Sequence, residues 1–189
     1  YSSAASDVYK RQFHKEPYVT MKKKLFLLSA VLLAAAAGVR AQIYSFEIPQ
    51  ADAWSAENAR LSYSAERFKL GKRSLRIDWR PGAVVRIGNP MGLEQAAGAP
   101  NGGIALWIYN ERPAAEPLHI VFRNAEGADV CEVACELGFR GWRCVWNKFR
   151  EDMGKRPKAG LSDVEIRFPE VAGGGTVYLD LSLIHISAP

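Results

Sequence analysis

Apolar and polar residues alternate with a period of two along much of the chain. Leu75-Arg76-Ile77-Asp78-Trp79-Arg80 puts three apolar side chains on one side and three charged ones on the other, then meets Pro81-Gly82. Leu118-His119-Ile120-Val121-Phe122 alternates less cleanly. Cys131, Val133, Cys135, Leu137 and Phe139 share one face, with Glu132 and Glu136 on the other. Val164-Glu165-Ile166-Arg167-Phe168 alternates and stops at Pro169, and 176–180 begins another run. Segment 103–109 is different, because "IALWIY" is apolar at every position. Such a strand is covered on both sides, so it lies centrally in a sheet with something folded over its outer face. Short runs of this kind between Gly, Pro and Asn turns predict an all-β sandwich. Only 51–60 and 148–153 could hold a helical turn or two.

The ends of the chain read differently. Met21 is followed by three lysines, an apolar or small run over 25–38, and Val39-Arg40-Ala41. Charged, apolar and small-residue regions in that order predict a signal peptide over 21–41 and an exported, periplasmic or extracellular protein. The apolar run is short for a membrane span, which needs about 20 residues. Gln42 rather than Cys follows, which gives no support for a lipid anchor. A signal peptide works only at the true N-terminus, so residues 1–20 are expected not to belong to the protein. Residues 2–12 back-translate to a transposon adapter used in DNA library preparation. Residues 181–187 match the opposite-strand adapter, with one break at Ala188. The expectation is therefore adapter artefact and upstream translation over 1–20, one domain over 42–180, and adapter artefact over 181–189.

These boundaries change the charge. The full chain of 189 residues carries a formal +5, but residues 42–180 hold 18 basic and 18 acidic side chains. A neutral domain is not expected to seek nucleic acid. It holds no internal repeat and is long enough for one domain.

Six segments carry a resemblance: "FEIP", "LSYSAERFKLGKRSLRIDW", "LWIYNERP", "GFRGWRCVW", "REDMGKRP" and "GTVYLD". In this order, over residues 43–180, they resemble the N-terminal domain of the chondroitin ABC lyases. The resemblance implies a jelly-roll, galactose-binding-like sandwich, here truncated at its last strand. It implies a missing C-terminal catalytic domain that cleaves a glycosaminoglycan such as chondroitin or dermatan sulfate by β-elimination. That chemistry takes a proton from C5 of a uronic acid after its carboxylate is neutralised, usually with a His, Tyr and Arg group. His119 is the one histidine within 42–180, and it sits inside an expected strand. No catalytic residue is expected here, so this segment binds or docks rather than cleaves. A free-standing exported lectin and a purely structural spacer are the alternatives.

The candidate carbohydrate contacts lie in 66–82, where six basic residues stand against Glu66 and Asp78. Lys72 and Arg73 occupy the turn, and Arg76 and Arg80 share the outer strand face. Guanidinium forks suit sulfates and carboxylates; a solvated face with Asp78 paired to its neighbours is the plainer reading. Trp79 and Trp142 fall at inward positions and Trp107 in the doubly covered strand, which predicts core packing. Trp54, in a polar loop, is the candidate sugar platform. Cys131 and Cys135 stand about 13 Å apart along one strand, too far for a bridge. Buried free thiols are the default, with a bridge to Cys144 left open. No cofactor is expected. Glu47 and Asp180 lie where related jelly rolls hold a structural calcium, but two carboxylates are too few to claim one. Segment 150–153 is read as a docking loop for the missing domain.

Overall fold

The computed structural model describes residues 42–44, 46–47, 54–90, 92–154, 160–170 and 173–185, without the side chains of 42–44 and 181–185. The expected leader, 21–41, and the stretch 1–20 lie outside the described residues. Among the described residues, nine strands and one short helix follow in order: β1 Gln42–Tyr44, β2 Trp54–Ser64, β3 Ser74–Gly88, α1 Leu93–Gly98, β4 Gly103–Asn110, β5 Leu118–Asn124, β6 Asp129–Cys135, β7 Gly141–Lys148, β8 Leu161–Arg167 and β9 Gly175–His185. All pairings are antiparallel. The strand order is β6-β5-β8-β3-β9-β4-β7, with β1 added to β9 and β2 to β3.

That order folds into two layers because β3 belongs to both. Its first half, Leu75 to Trp79, pairs with β9. Its second half, Val84 to Gly88, pairs with β8. Pro81-Gly82, expected to end the strand, instead turns its corner. Pro81 has no N–H to leave unpaired, and Gly82 takes a φ of +69° that L side chains resist. Gly82 N donates to Pro169 O at 2.9 Å and Phe168 N to Ala83 O at 2.8 Å, which ties the corner to the end of β8. On β2 the matching irregularity falls between Glu57 and Ala59, where Asn58 adopts a φ of +55°. A β-bulge of this kind bends a strand and increases its twist.

The core lies between the layers and follows the alternation read from the sequence. Ile77, Val85, Ile108, Leu118, Phe122, Val177 and Leu179 are buried. Trp79 stacks on Phe168, with ring centroids 5.1 Å apart, and Phe122 meets Phe149 edge-on at 5.0 Å. The expected helical reading of 51–60 fails: from Trp54 onward this is β2, which gains a full ladder on β3. The helix lies elsewhere, at α1, with Leu93, Ala96 and Ala97 turned inward. At 148–153 there is a turn, where Asp152 N donates to Lys148 O at 3.0 Å. The final strand does not stop at Asp180. β9 runs on to His185, and its far half pairs with β1 and β4. Ladder bonds are made by the backbone, so the alternating Leu-Ser-Leu-Ile-His tail can continue them whatever its origin.

Phe122→Ala should destabilise the domain by about 3–5 kcal/mol, from lost burial and the cavity left behind. Gly82→Ala, which removes no contact, should cost only about 1–2 kcal/mol through its left-handed backbone. Urea midpoints of the two variants against the parent check this order; an equal or larger cost at Gly82 would mean that the corner carries more than conformational strain.

Candidate functional site

The loop 65–73 between β2 and β3 is held from beneath by two carboxylates. Asp180, fully buried on β9, accepts from the backbone N–H of Lys69 at 2.5 Å and of Leu70 at 3.0 Å. Glu47 accepts from the N–H of Lys72 at 2.7 Å and of Arg73 at 3.0 Å. Those two backbone bonds, with the nearby Arg73 and Lys72 charges, hold the Glu47 carboxyl below its ordinary value against the opposing effect of burial. Gly71, at φ +77°, makes the tight turn between the clamps, where a side chain would overlap the Glu47 carboxylate. The loop therefore has a fixed shape, although most of its residues are exposed.

That shape lays two cations over aromatic rings. Lys69 Nζ sits 4.3 Å from the ring centroid of Trp107, and the Arg67 guanidinium 5.2 Å from that of Tyr109. Trp107 and Tyr109 project outward from β4 because Leu106 and Ile108 between and beside them point into the core. The sheet register extends this outer face sideways. Trp142, Tyr109, Tyr178 and Arg76 stand in one row across β7, β4, β9 and β3. Tyr109 meets Trp142 edge-on at 5.4 Å and Tyr178 at 5.8 Å. The loop is thus what covers the doubly apolar strand.

At the β3 end of the row the polar groups satisfy one another. Arg76 Nε donates to both carboxylate oxygens of Asp78 at 3.0 and 3.1 Å, and its Nη1 to Glu66 at 3.1 Å. Tyr178 donates to Glu66 at 2.8 Å and Thr176 to Asp78 at 2.7 Å. Burial, followed by the bond to Glu66, pushes the Tyr178 phenol up to about 12. It is a neutral donor near pH 7 and no base.

The opposite outer face carries ions instead of rings. Glu165, 2% exposed, receives Arg86 Nε at 2.7 Å, Arg123 Nη1 and both Nε and Nη2 of Arg167, at 2.9 and 2.7 Å. Arg167 also grips Asp129 through two bonds at 2.6 and 2.8 Å. Burial raises the Glu165 carboxyl, but the Arg86 and Arg167 hydrogen bonds and the Arg123 and Arg167 charges outweigh it, and the net direction is down. On the same face His119 Nδ1 lies 3.4 Å from Glu132. It is a strand histidine beside one carboxylate.

The expected contact residues fall into three environments. Lys72, Arg73 and Arg80 are exposed. Arg76 lies on the outer face as expected, but it is engaged by two carboxylates. Trp54 is not in a polar loop: it opens β2, is 9% exposed and packs on buried Phe46 at 5.7 Å. Trp79 packs inside as expected, but Trp142 and Trp107 do not. Register places Trp142 opposite outward-facing Tyr109, and Trp107 is half-buried beneath Lys69. Arg67 and Lys69 belong to the six basic residues expected at the contact stretch 66–82, but nothing in the sequence sets them over the rings of β4, and it assigns Trp146 no role. The row Trp142, Cys144, Trp146 alternates with Arg143, Val145 and Asn147, a mixed pattern that points Trp142 inward only until its register with Tyr109 is known.

Cys135 is buried, Cys131 half-buried and Cys144 exposed. Cys144 faces outward on β7 opposite Trp107 and is exposed, while Cys135 is buried, so the structure forms no bridge to Cys144 and the buried-thiol expectation fails there. Burial pushes the Cys135 thiol up to about 11. Glu47 and Asp180 each direct one oxygen at two backbone N–H donors of the loop. No cluster of three metal-ligating side chains occurs among the described residues.

Two outcomes follow. Asp180→Ala should unclamp the loop and speed tryptic cleavage after Lys69, Lys72 or Arg73 by about tenfold or more, since such cleavage follows local opening; unchanged protection, with cut sites mapped by mass spectrometry, would mean that Asp180 does not hold it. Glu165→Ala should cost about 2–4 kcal/mol at pH 7, because it leaves guanidinium groups without a buried partner. The lowered carboxyl makes this contribution complete above the ordinary glutamate value and lost as pH falls through the folded one. The gap in urea midpoint between parent and variant should therefore close in acid, and a gap independent of pH would count against the assignment.

The chain matches the family model described as "Lyase, N terminal" over residues 40–188. It is 27% identical over 139 residues to a chondroitin sulfate ABC exolyase of Bacteroides thetaiotaomicron and 29% identical over 133 residues to one of Proteus vulgaris. Each match takes in 70% of this chain, which spans 13% of the length of either relative. Among solved structures, a family 22 xylan-binding module of Paenibacillus barcinonensis superposes with a TM-score of 0.53 at 14% identity, over 78% of this chain and 95% of that one. A family 11 carbohydrate-binding module of Clostridium thermocellum, in complex with a mixed-linked tetrasaccharide, gives 0.53 at 10% identity, over 78% and 96%. At these identities the structural likeness speaks to the fold, a jelly-roll sandwich. The family match over most of the chain leads to one conclusion, with which the two-layer architecture agrees: this chain belongs to the lyase N-terminal domain family.

Proposed function

We propose that the chain is the N-terminal carbohydrate-binding domain of an exported polysaccharide lyase, and that it engages a glycosaminoglycan. The observation that carries this reading is the pairing of cations with rings on one outer face, with Lys69 on Trp107 and Arg67 on Tyr109. Pyranose rings present apolar faces that suit aromatic side chains. Uronates and sulfates suit Lys and Arg. A surface offering both in contact favours a sugar polymer that is also an anion. The names of the relatives, chondroitin sulfate ABC exolyases, support the same substrate class.

In this reading Lys72, Arg73 and Arg80 extend the positive margin of the face, and Arg76 contributes less because Asp78 and Glu66 already engage it. Trp54 takes no part, since its ring is buried. The catalytic body belongs to the parent enzyme, with bond cleavage by β-elimination occurring there. Export follows the leader read over 21–41. The binding role is favoured over that of a bare spacer, which needs no ring-and-cation surface.

Affinity electrophoresis in gels containing chondroitin sulfate tests the reading. The chain should be retarded at low ionic strength and released as salt screens its charges. Lys72→Ala with Arg73→Ala should weaken binding about tenfold, which is roughly 1.4 kcal/mol; Arg76→Ala alone should matter less. No retardation of the parent chain at low salt would overturn the reading.

A further inference from the structure

Resting on that reading, we infer that the anionic polysaccharide lies along β7, stacked on Trp142 and Trp146, with its acidic groups turned toward Lys69 and Arg67. β7 ends the strand order, so no further strand walls off its outer side. Its outward positions are Trp142, Cys144 and Trp146, fixed by their partners Tyr109, Trp107 and Ala105 on β4. The two indoles are about 13 Å apart along the strand, enough for two rings of one polymer to stack at once. Trp146 is 46% exposed, whereas large apolar side chains are normally covered. Trp142 is half-buried and braced edge-on by Tyr109, which fixes the angle of its ring.

The cations stand beside this track instead of upon it. Arg67 lies over Tyr109, the partner of Trp142, and Lys69 over Trp107, the partner of Cys144. Both are therefore one strand away, about 5 Å to the side. Ring faces can rest on β7 while carboxylates and sulfates on the polymer's flank meet the two arms. Arg67 is also 3.5 Å from Glu111, which holds its head at that margin. The remaining surfaces suit this ligand less well. Tyr178 is buried below Glu66 and Arg76. On the opposite face, Arg86, Arg123 and Arg167 already meet Glu57, Glu165 and Asp129, so little positive charge is left for a polyanion.

Cys144 provides the readout, since it is exposed and lies midway between the indoles. The full chain is treated with N-ethylmaleimide, with and without chondroitin sulfate, and labelling at Cys144 is followed by peptide mass spectrometry. Saturating chondroitin sulfate should slow that labelling at least about fivefold, with uncharged dextran giving no protection. Trp146→Ala should lose both the protection and about tenfold in electrophoretic affinity, while keeping the salt dependence set by the cations. Retardation of the chain without protection of Cys144 would overturn the β7 track and leave the binding function standing. Absence of both would remove the function and the track together. Equal protection by dextran would overturn the role given to the acidic groups, and an unchanged affinity of Trp146→Ala would overturn the stacking.

Discussion

The structure depends on one strand holding two partners. β3 pairs with β9 along its first half and with β8 along its second, so each layer contains part of it. Its bend at Pro81-Gly82 sets the layers face to face, and its alternation supplies buried side chains to both halves of the core. Without that shared strand there would be two open sheets, each with an uncovered apolar face. The hairpin partner β2 bends at the matching place, so the ladder between them survives the corner.

The same hairpin creates the surface of interest. Its connecting loop is longer than a simple turn needs, and it folds back over β9 and β4 instead of extending into solvent. Acidic side chains capture its amides, which leaves its basic side chains pointing across the sheet. The arrangement separates two tasks that a charged loop usually confuses: backbone polarity anchors it, and side-chain polarity stays available. On the other layer polarity is used only internally, since three arginines converge on one buried glutamate.

Much of the fold was legible from periodicity because burial here is one-sided. Leu75, Ile77 and Trp79 are inside and Arg76 and Asp78 outside, as their alternation requires. The apolar run of β4 correctly implied a cover over its outer face, but not that a basic loop would supply it. The misreadings share a cause. Pro81-Gly82 looked like a stop because local signals cannot distinguish a corner from an end. The polar flanks of Trp54 predict exposure, whereas Phe46, distant in the sequence window, packs on its ring. Trp142 was assigned inward because an edge strand mixes apolar and polar side chains on both faces, and only its register with Tyr109 decides. Pairing partners are long-range facts, and no window of sequence contains them.

Asp180 reaches Lys69 and Leu70 across 111 and 110 residues of chain. The geometry of the basic loop is therefore a late event in folding. A nascent chain that has emerged only through β8 carries the loop's charges but has nothing to arrange them, and contacts of such high sequence separation form slowly. The surface that would hold a polymer exists only once β9 has docked, so its assembly reports the arrival of that strand in the sheet.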